Sequence, residues 1–390
     1  MSNEIKAYYQ RNPGIQGVYV CFTLGFGSRD ERSDEQGYAH FLEHLIMSNQ
    51  KLSEVVEARG GQLDAGTGHE EMTFQFVVPK QFLSQSLDSL KKEVFDLSID
   101  SDMVSREKEI VLCEIDESDE MIDEYYELFF RNHDLGRSIL GTKASIQKIG
   151  VDKMSAFYSR IFSTSRAVIS IISDLPDAEV EAMFNDAFGT VSLEANHRVR
   201  KAFYYCDSFE IWDKTNLPED PDHVILGFPI PKYDHEDDLY IQLAICMFED
   251  RVYQRLRVEN QLIYDIDLNA PRFSDCGLLY LEFDVEKSKT KRAIALIKSE
   301  MNRLTKGISK NDFEKLKNRF AGRVLLRQDD YWALSEKLAK NLLFNGNCVS
   351  PENEIENIRN LELSHFNSVC LWFFQIHFLR TLVHTSNSLL

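Results

Sequence analysis

Residues 17–48 read GVYVCFTLGFGSRDERSDEQGYAHFLEHLIMS, and the fold turns on how they divide. The first ten, GVYVCFTLGF, are rich in β-branched and aromatic residues and read as a strand. The polar stretch that follows ends in a helix carrying HFLEH. On a helix each residue advances about 100° and about 1.5 Å, so His40 and His44 share one face, one turn apart, with Glu43 beside them. That arrangement is a candidate metal site.

Outward from it the same reading predicts a short helix near 51–59 and a hairpin over GGQLDAGTGHEEMTFQFVVP (60–79). Helical stretches near 80–98, 101–132 and 144–162 follow, and AVISIIS closes the first half as a strand. After the polar, basic connector LEANHRVRKAFY (193–204) the order recurs. HVILGFPIP is a strand, DLYIQLAICMFEDRVYQRLRVE a helix and LIYDIDLNAPRFSDCGLLYLEFDV a hairpin, with helices near 287–305 and 309–344. The second half reads as a copy of the first. Hairpins interspersed with runs of helices predict an α+β fold of two homologous sheet-plus-helix domains in tandem, and argue against a doubly wound parallel sheet. The expected division is 1–192 for the metal-bearing domain, 193–204 for the connector and 205–390 for the repeat. The second copy lacks HxxEH, and its long helix KNDFEKLKNRFAGRVLL lacks an apolar face with paired glutamates. One half would carry the site and the other would shape it.

Composition narrows the function. The chain has 390 residues, 43% hydrophobic and 27% charged, enough for two real cores. Its formal net charge of -19 argues against nucleic acid or an anionic membrane as the main partner, since neither is met by an acidic surface. No GxGxxG or Walker loop gives nucleotide chemistry a foothold. The seven cysteines, at 21, 113, 206, 246, 276, 348 and 370, are scattered and never spaced CxxC, as expected of reduced, mostly packed thiols in the cytoplasm. The N-terminal residues show no signal pattern, and no apolar run reaches the roughly 18 residues a membrane helix needs.

A helical histidine pair is, taken alone, most often core or surface. An HxxEH arises by accident in roughly two such chains per hundred, so a third ligand has to be found. Catalytic zinc takes three protein ligands and leaves a fourth position for water. The segment VSREKEIVLCEIDES (104–118) offers one: on a helix Val104, Glu107, Val111, Glu114 and Ile115 share a face, while Glu109 and Asp116 point elsewhere. Two carboxylates on an apolar face would each cost roughly several kcal/mol to bury unless a cation or strong donors lie near them. Cys113 sits about 100° round the helix from Glu114 and is expected to be a small packed residue. His69 begins HEEMT, which would need a histidine at Thr73 to make the other familiar zinc motif, and is read as a loop residue.

With these segments in place, GSRDERSDEQGYAHFLEHLIMS, GGQLDAGTGHEEMTF, SREKEIVLCEI, LGRSILGTKASIQKI and DRVYQRLRVENQLIY together resemble the pitrilysin or insulinase family of inverzincin metallopeptidases, whose signature is HxxEH. The resemblance runs over nearly the whole chain and includes the mitochondrial processing peptidases. It implies one Zn2+ per chain held by His40, His44 and Glu114, with Glu43 as general base and Glu107 supporting the site. Arg257 and Tyr264, in the second half, match a pair that reaches the substrate near the scissile bond. Asp64 and Ala65 lie on the implied substrate-binding strand, although the family usually has asparagine where Asp64 stands. The segment after HFLEH is also several residues shorter than usual; both departures bear on substrate choice. The implied activity is endopeptidase cleavage of unstructured peptides held as an added strand. A dimer chamber is implied too, formed with a second copy or a related chain, because one chain supplies two of the four domains such chambers enclose. The rival expectations are a maturation protease dedicated to one precursor peptide of a natural-product pathway, and a non-catalytic partner subunit.

Overall fold

In the computed structural model, residues 5–385 are described apart from 119, 164, 192, 194–199, 201–202, 204–207 and 214–219. The first sheet opens with a strand that no apolar alternation announces: Lys6–Arg11 (β1) has only exposed and half-buried side chains. Gly17–Leu24 (β2) and Tyr38–Met47 (α1) follow, then Lys51–Glu57 (α2) and the hairpin Gln62–Thr67 (β3) and Met72–Pro79 (β4). Next come Leu83–Phe95 (α3), Ser101–Glu117 (α4), Glu120–Phe129 (α5), Lys143–Gln147 (α6), Val151–Phe162 (α7), Ala167–Ser173 (β5) and Asp177–Phe188 (α8). The strand order is β1-β5-β2-β4-β3, with β1 parallel to β5 and the other pairs antiparallel. All seven residues of β5 are buried, whereas β3 is an outer strand. The continuous helix expected over 101–132 divides after α4, where Ser118 turns to extended backbone at φ -68, ψ 153. The helix expected over 144–162 divides at Gly150, extended at φ -148.

The second half contains Glu210–Asp213 (β6), Asp222–Ile230 (β7) and Asp238–Tyr253 (α9), which runs on as a π-helical segment over Gln254–Glu259. Then come Asp267–Asn269 (β8), Gly277–Val285 (β9), Thr290–Leu304 (α10), Lys310–Leu326 (α11), Tyr331–Phe344 (α12), Pro351–Arg359 (α13), Leu363–Phe373 (α14) and Arg380–His384 (β10). The order β6-β10-β7-β9-β8, with β6 parallel to β10 and the other pairs antiparallel, repeats the first sheet strand for strand. The molecule is therefore an α+β protein of two homologous sheet-plus-helix repeats, each with its own apolar core.

The compact units do not follow chain order. One comprises Met1–Lys201 with Asp329–Cys348, the other Ala202–Gln328 with Val349–Leu390. The sequence assigned all of 205–390 to the second domain, but α12 packs in the first unit. Leu334 and Leu338 lie on Ile172, while Ala339, Leu342 and Leu343 lie with Cys21 and Val168. Polar bonds fix the seam: the Gln75 amide donates to the Trp332 carbonyl (2.6 Å) and Ser335 Oγ (2.9 Å), and Ser170 Oγ donates to the Ser335 carbonyl (2.6 Å). The 309–344 stretch breaks before α12, where the Asp330 carboxylate accepts from Ala333 N at 3.1 Å and starts a new helix. Periodicity tells that a helix buries one face, not which sheet it buries it against.

Cys21, Cys246, Cys276 and Cys370 are buried and Cys348 is half-buried. Cys113, expected to be packed, is exposed, with its Sγ turned toward Glu117. Cys206 lies outside the described residues. Among the described residues no helix is long and apolar enough to cross a membrane.

Candidate metal centre

Helix α1 is started by a turn and a carboxylate. Gly37 has φ +84, and a Cβ there would stand 2.5 Å from the Leu140 carbonyl, so glycine is required. The buried Glu31 carboxylate accepts from Gly37 N (3.0 Å) and Ala39 N (2.7 Å), satisfying backbone donors at the helix start. Burial pushes the Glu31 carboxyl up, and those two backbone bonds oppose the shift. Phe41, Leu42, Leu45 and Ile46 anchor α1 in the core and leave His40 and His44 half-buried on another face, ring centroids 4.6 Å apart.

Helix α4 supplies the carboxylates. Its start is capped by Asp100, whose side chain accepts from Met103 N at 2.9 Å. Val104 and Val111 are buried, which turns Glu107 and Glu114 toward α1, while Glu109 and Asp116 are exposed. Glu114 Oε2 lies 3.5 Å from His40 Nε2 and 3.3 Å from His44 Nε2. Glu107 Oε2 lies 3.5 Å from His44 Nδ1, and its Oε1 accepts from Arg106 Nε at 3.0 Å.

These distances bear on a metal. Ligands about 2.0–2.2 Å from a tetrahedral zinc stand roughly 3.3–3.6 Å from each other, and the two imidazole nitrogens meet the Glu114 oxygen at that spacing. One donor atom from each of His40, His44 and Glu114 falls within 4.8 Å of the others. The chemistry also suits a cation: burial, then His44, pushes the His40 imidazole down to about 4, so it is neutral at pH 7 and keeps a lone pair. Glu107 sits on the second nitrogen of His44, where a carboxylate orients a ligating ring. His40 Nδ1 is buried with no such partner among the described residues.

Glu43, one residue before His44, is 8% exposed, and its Oε2 accepts from Thr67 Oγ1 at 2.7 Å. Burial pushes its carboxyl up, against the Thr67 hydrogen bond. Asp64 and Ala65 lie on β3, in register with Gln75 and Phe74 of β4; Asp64 is exposed and Ala65 half-buried. Arg257 and Tyr264 stand together in the second unit. The Arg257 guanidinium lies over the Tyr264 ring, 4.8 Å from its centroid, and donates to the Ile263 carbonyl at 3.2 Å, while Tyr264 is 83% exposed.

Thr67, Glu70 and Arg29 were not singled out in the sequence. His69 is in the loop after Thr67, as expected, but is buried with Nδ1 at 3.1 Å from Ser28 Oγ. Beside it Glu70 is clamped by Arg29 and Arg200, each at 2.5 Å. Arg29 lies in GSRDERSDEQ, a stretch polar enough to pass for a solvated turn, and no apolar pattern marks it as buried.

Two matched sheet-and-helix repeats, with a His-His-Glu donor set in the first that could hold a metal ion, define a tandem α+β protein with a candidate metal site in one repeat. The chain belongs to the insulinase family, peptidase family M16: the model for that family matches residues 6–143, and that for the M16 inactive domain matches 148–320. An uncharacterized zinc protease of Rickettsia bellii is 24% identical over 367 residues, spanning 90% of this chain and 88% of its own. One from Bacillus subtilis is 23% identical over 409 residues, spanning 99% and 98%. A crystal structure of a protease from Helicobacter pylori superposes with a TM-score of 0.82 at 16% identity, covering 99% of both chains.

Proposed function

We propose that the chain is a zinc-dependent endopeptidase that binds one zinc through His40, His44 and Glu114 and cleaves unstructured peptides. The observation that carries this reading is the spacing of the donor set, with a buried carboxylate, Glu43, directly beside it. When bound, zinc supplies Lewis acidity and brings the pKa of a bound water to about 7. The rest is the work of the chain. Glu43 takes the water proton and hands it to the leaving amine. Glu107 holds the ring of His44 through Nδ1. The outer strand β3, at Asp64 and Ala65, takes the peptide as an added strand, which gives main-chain affinity with loose side-chain selectivity.

Arg257 and Tyr264 are donors suited to the oxyanion that develops on the scissile carbonyl. They lie in the unit without the metal ligands, and we assign them to the site of a partner chain, so that the working unit is a dimer. The presence of both residue sets in one chain favours two copies of it over a related subunit. An intact donor set with its neighbouring glutamate speaks against a purely structural partner role.

The test is zinc content together with hydrolysis of a mixed peptide library by the wild type, His44→Ala and Glu43→Gln. The reading requires zinc to be lost in the first variant and kept in the second, with hydrolysis lost in both. Unchanged zinc in His44→Ala, or near wild-type cleavage by Glu43→Gln, overturns it. The cleavage profile separates broad peptide turnover from maturation of one precursor.

A further inference from the structure

We infer that Thr67 is a positioning residue for Glu43: by donating its hydroxyl to Oε2 it fixes the carboxylate plane and leaves Oε1 as the oxygen that receives the water proton. The inference rests on the reading of Glu43 as the base. Thr67 Oγ1 lies 2.7 Å from Glu43 Oε2. A hydroxyl has a single proton to donate and a general base acts as the carboxylate, which only accepts, so with Glu43 as the base the bond runs from Thr67 to Glu43. Charge-assisted bonds of this length are among the stronger ones a side chain makes.

The hydroxyl is held from behind. Thr67 is the last residue of β3, in register with Met72. The loop after it is tied on both sides: Gly68 N donates to the Glu71 carbonyl at 2.7 Å, Ser28 N to the Gly68 carbonyl at 3.1 Å and Arg29 N to the His69 carbonyl at 2.9 Å. Gly27 permits this approach, because a Cβ there would lie 2.3 Å from the Gly68 oxygen. The buried Arg29–Glu70 pair, completed by Arg200, locks the same loop, and Lys340 of α12 reaches Glu71 at 3.2 Å. A side chain built on so fixed a backbone presents its donor at one place. The terminal torsion of a free glutamate is broad, so without that donor the carboxylate would sample orientations in which neither oxygen faces the water. The buried network that follows β3 thereby gains a purpose: it holds Thr67, and Thr67 holds Glu43.

The experiment compares Thr67→Val, which keeps shape and β-branching but removes the hydroxyl, with Thr67→Ser, which keeps the hydroxyl, each alone and in the Glu43→Gln background. Steady-state cleavage of a fluorogenic unstructured peptide, zinc content and thermal midpoint are measured for each. Thr67→Val should lower kcat by roughly 10- to 100-fold, the range of one hydrogen bond to a charged group, with KM, zinc content and midpoint unchanged. Thr67→Ser should recover kcat to within about threefold, and any residual cleavage that Glu43→Gln retains should fall by less than about twofold when Thr67→Val is added, because the two act as one unit. A kcat for Thr67→Val within about twofold of wild type, or an equal loss for valine and serine, overturns the inference while leaving Glu43 as the base if Glu43→Gln is inactive. An active Glu43→Gln overturns the base and this inference with it. Loss of zinc or a rise in KM in Thr67→Val assigns the residue to metal or substrate binding and overturns the positioning role.

Discussion

Both repeats place a helix after the second strand of the sheet and a long capped helix after the hairpin, and the contents of that shared place differ. Leu24-Gly25-Phe26 recurs as Leu226-Gly227-Phe228, and the same spacing carried forward sets Gln242, Ile245 and Cys246 where His40, Glu43 and His44 stand. The long helices α4 and α11 both have 17 residues, and counting from their first residues sets Leu316 opposite Glu107 and Arg323 opposite Glu114. The structure bears out the pairing: as Glu114 meets His44 at 3.3 Å, Arg323 Nη1 meets Cys246 Sγ at 3.0 Å. Arg323 also pairs with Glu249 at 3.0 Å and Asp250 at 3.2 Å. The first repeat gathers donors for a cation, and the second carries its own cation as a guanidinium. The outer strands differ in the same sense, six residues in β3 against three in β8.

The largest effect should come from removing a ligand on one side and its counterpart on the other. His44→Ala should lose zinc and lower peptide cleavage by roughly 10⁴-fold or more, as expected when metal-assisted catalysis is lost. Cys246→Ala should keep both within about twofold, since it removes only one small buried side chain. Metal analysis and a peptide assay on the two variants decide it, and loss of zinc from Cys246→Ala would break the comparison.

Next in size is Arg257→Ala, expected to lower kcat by roughly 10²- to 10³-fold, the cost of losing one donor to an oxyanion. If the second repeat serves a partner's site, mixing Arg257→Ala with His44→Ala under subunit exchange should restore activity. In a mixed dimer the Arg257→Ala chain keeps its zinc ligands and meets an intact Arg257. Failure to recover despite demonstrated exchange would place the arginine in its own chain's reaction or outside the reaction.

Chelation sharpens the difference in charge. A ligand that binds only the folded form at about 100 times its Kd stabilises by about 2.7 kcal/mol, so stripping zinc should speed amide exchange in α1 and α4 by up to about 100-fold. The corresponding helices α9 and α11, held by Arg323, should exchange at an unchanged rate. Equal acceleration in both repeats would contradict an internal cation in the second.

Much of this was legible from the chain because periodicity and residue chemistry acted together. Val104 and Val111 had to be buried, and that alone turned Glu107 and Glu114 toward one place. The tandem repeat followed from recurring strand and hairpin patterns. Among what escaped, three features show why. The strand β1 pairs at a sheet border with half-buried side chains and so carries no alternation. Helix α12 joins the first repeat's sheet from far along the chain, and the Gln75 and Ser335 bonds that seat it span 260 residues. Thr67 is an ordinary strand residue whose importance lies in the Glu43 carboxylate 24 residues away. Long-range contacts of this kind leave no periodic trace in sequence.

The smallest effect concerns a glutamate that both repeats bury. Helices α3 and α10 each follow a short 3-10 turn, and their eleventh residues are Glu93, 1% exposed, and Glu300, 3% exposed. Glu300 faces Arg255 at 3.6 Å and Arg303 at 3.9 Å. Glu93 Oε2 accepts from Lys51 N at 3.2 Å, and its Oε1 has no partner among the described residues. Burial accordingly raises the Glu93 carboxyl to about 7, against the opposing Lys51 amide and charge. A folded value above the unfolded one means that the folded chain holds the proton more tightly. The associated stability is present below about pH 4.5 and is lost as pH rises to about 7. Glu93→Gln, which cannot ionise and still offers an acceptor to Lys51 N, should therefore raise the thermal midpoint of the first unit at pH 8, by about 2–4 °C for a gain of about 1 kcal/mol. Glu300→Gln instead takes a carboxylate from two arginines and should lower the midpoint of the second unit. Opposite signs at pH 8 are the expected outcome; a lowered midpoint for Glu93→Gln would show that its charge is compensated after all, as it is in the second repeat.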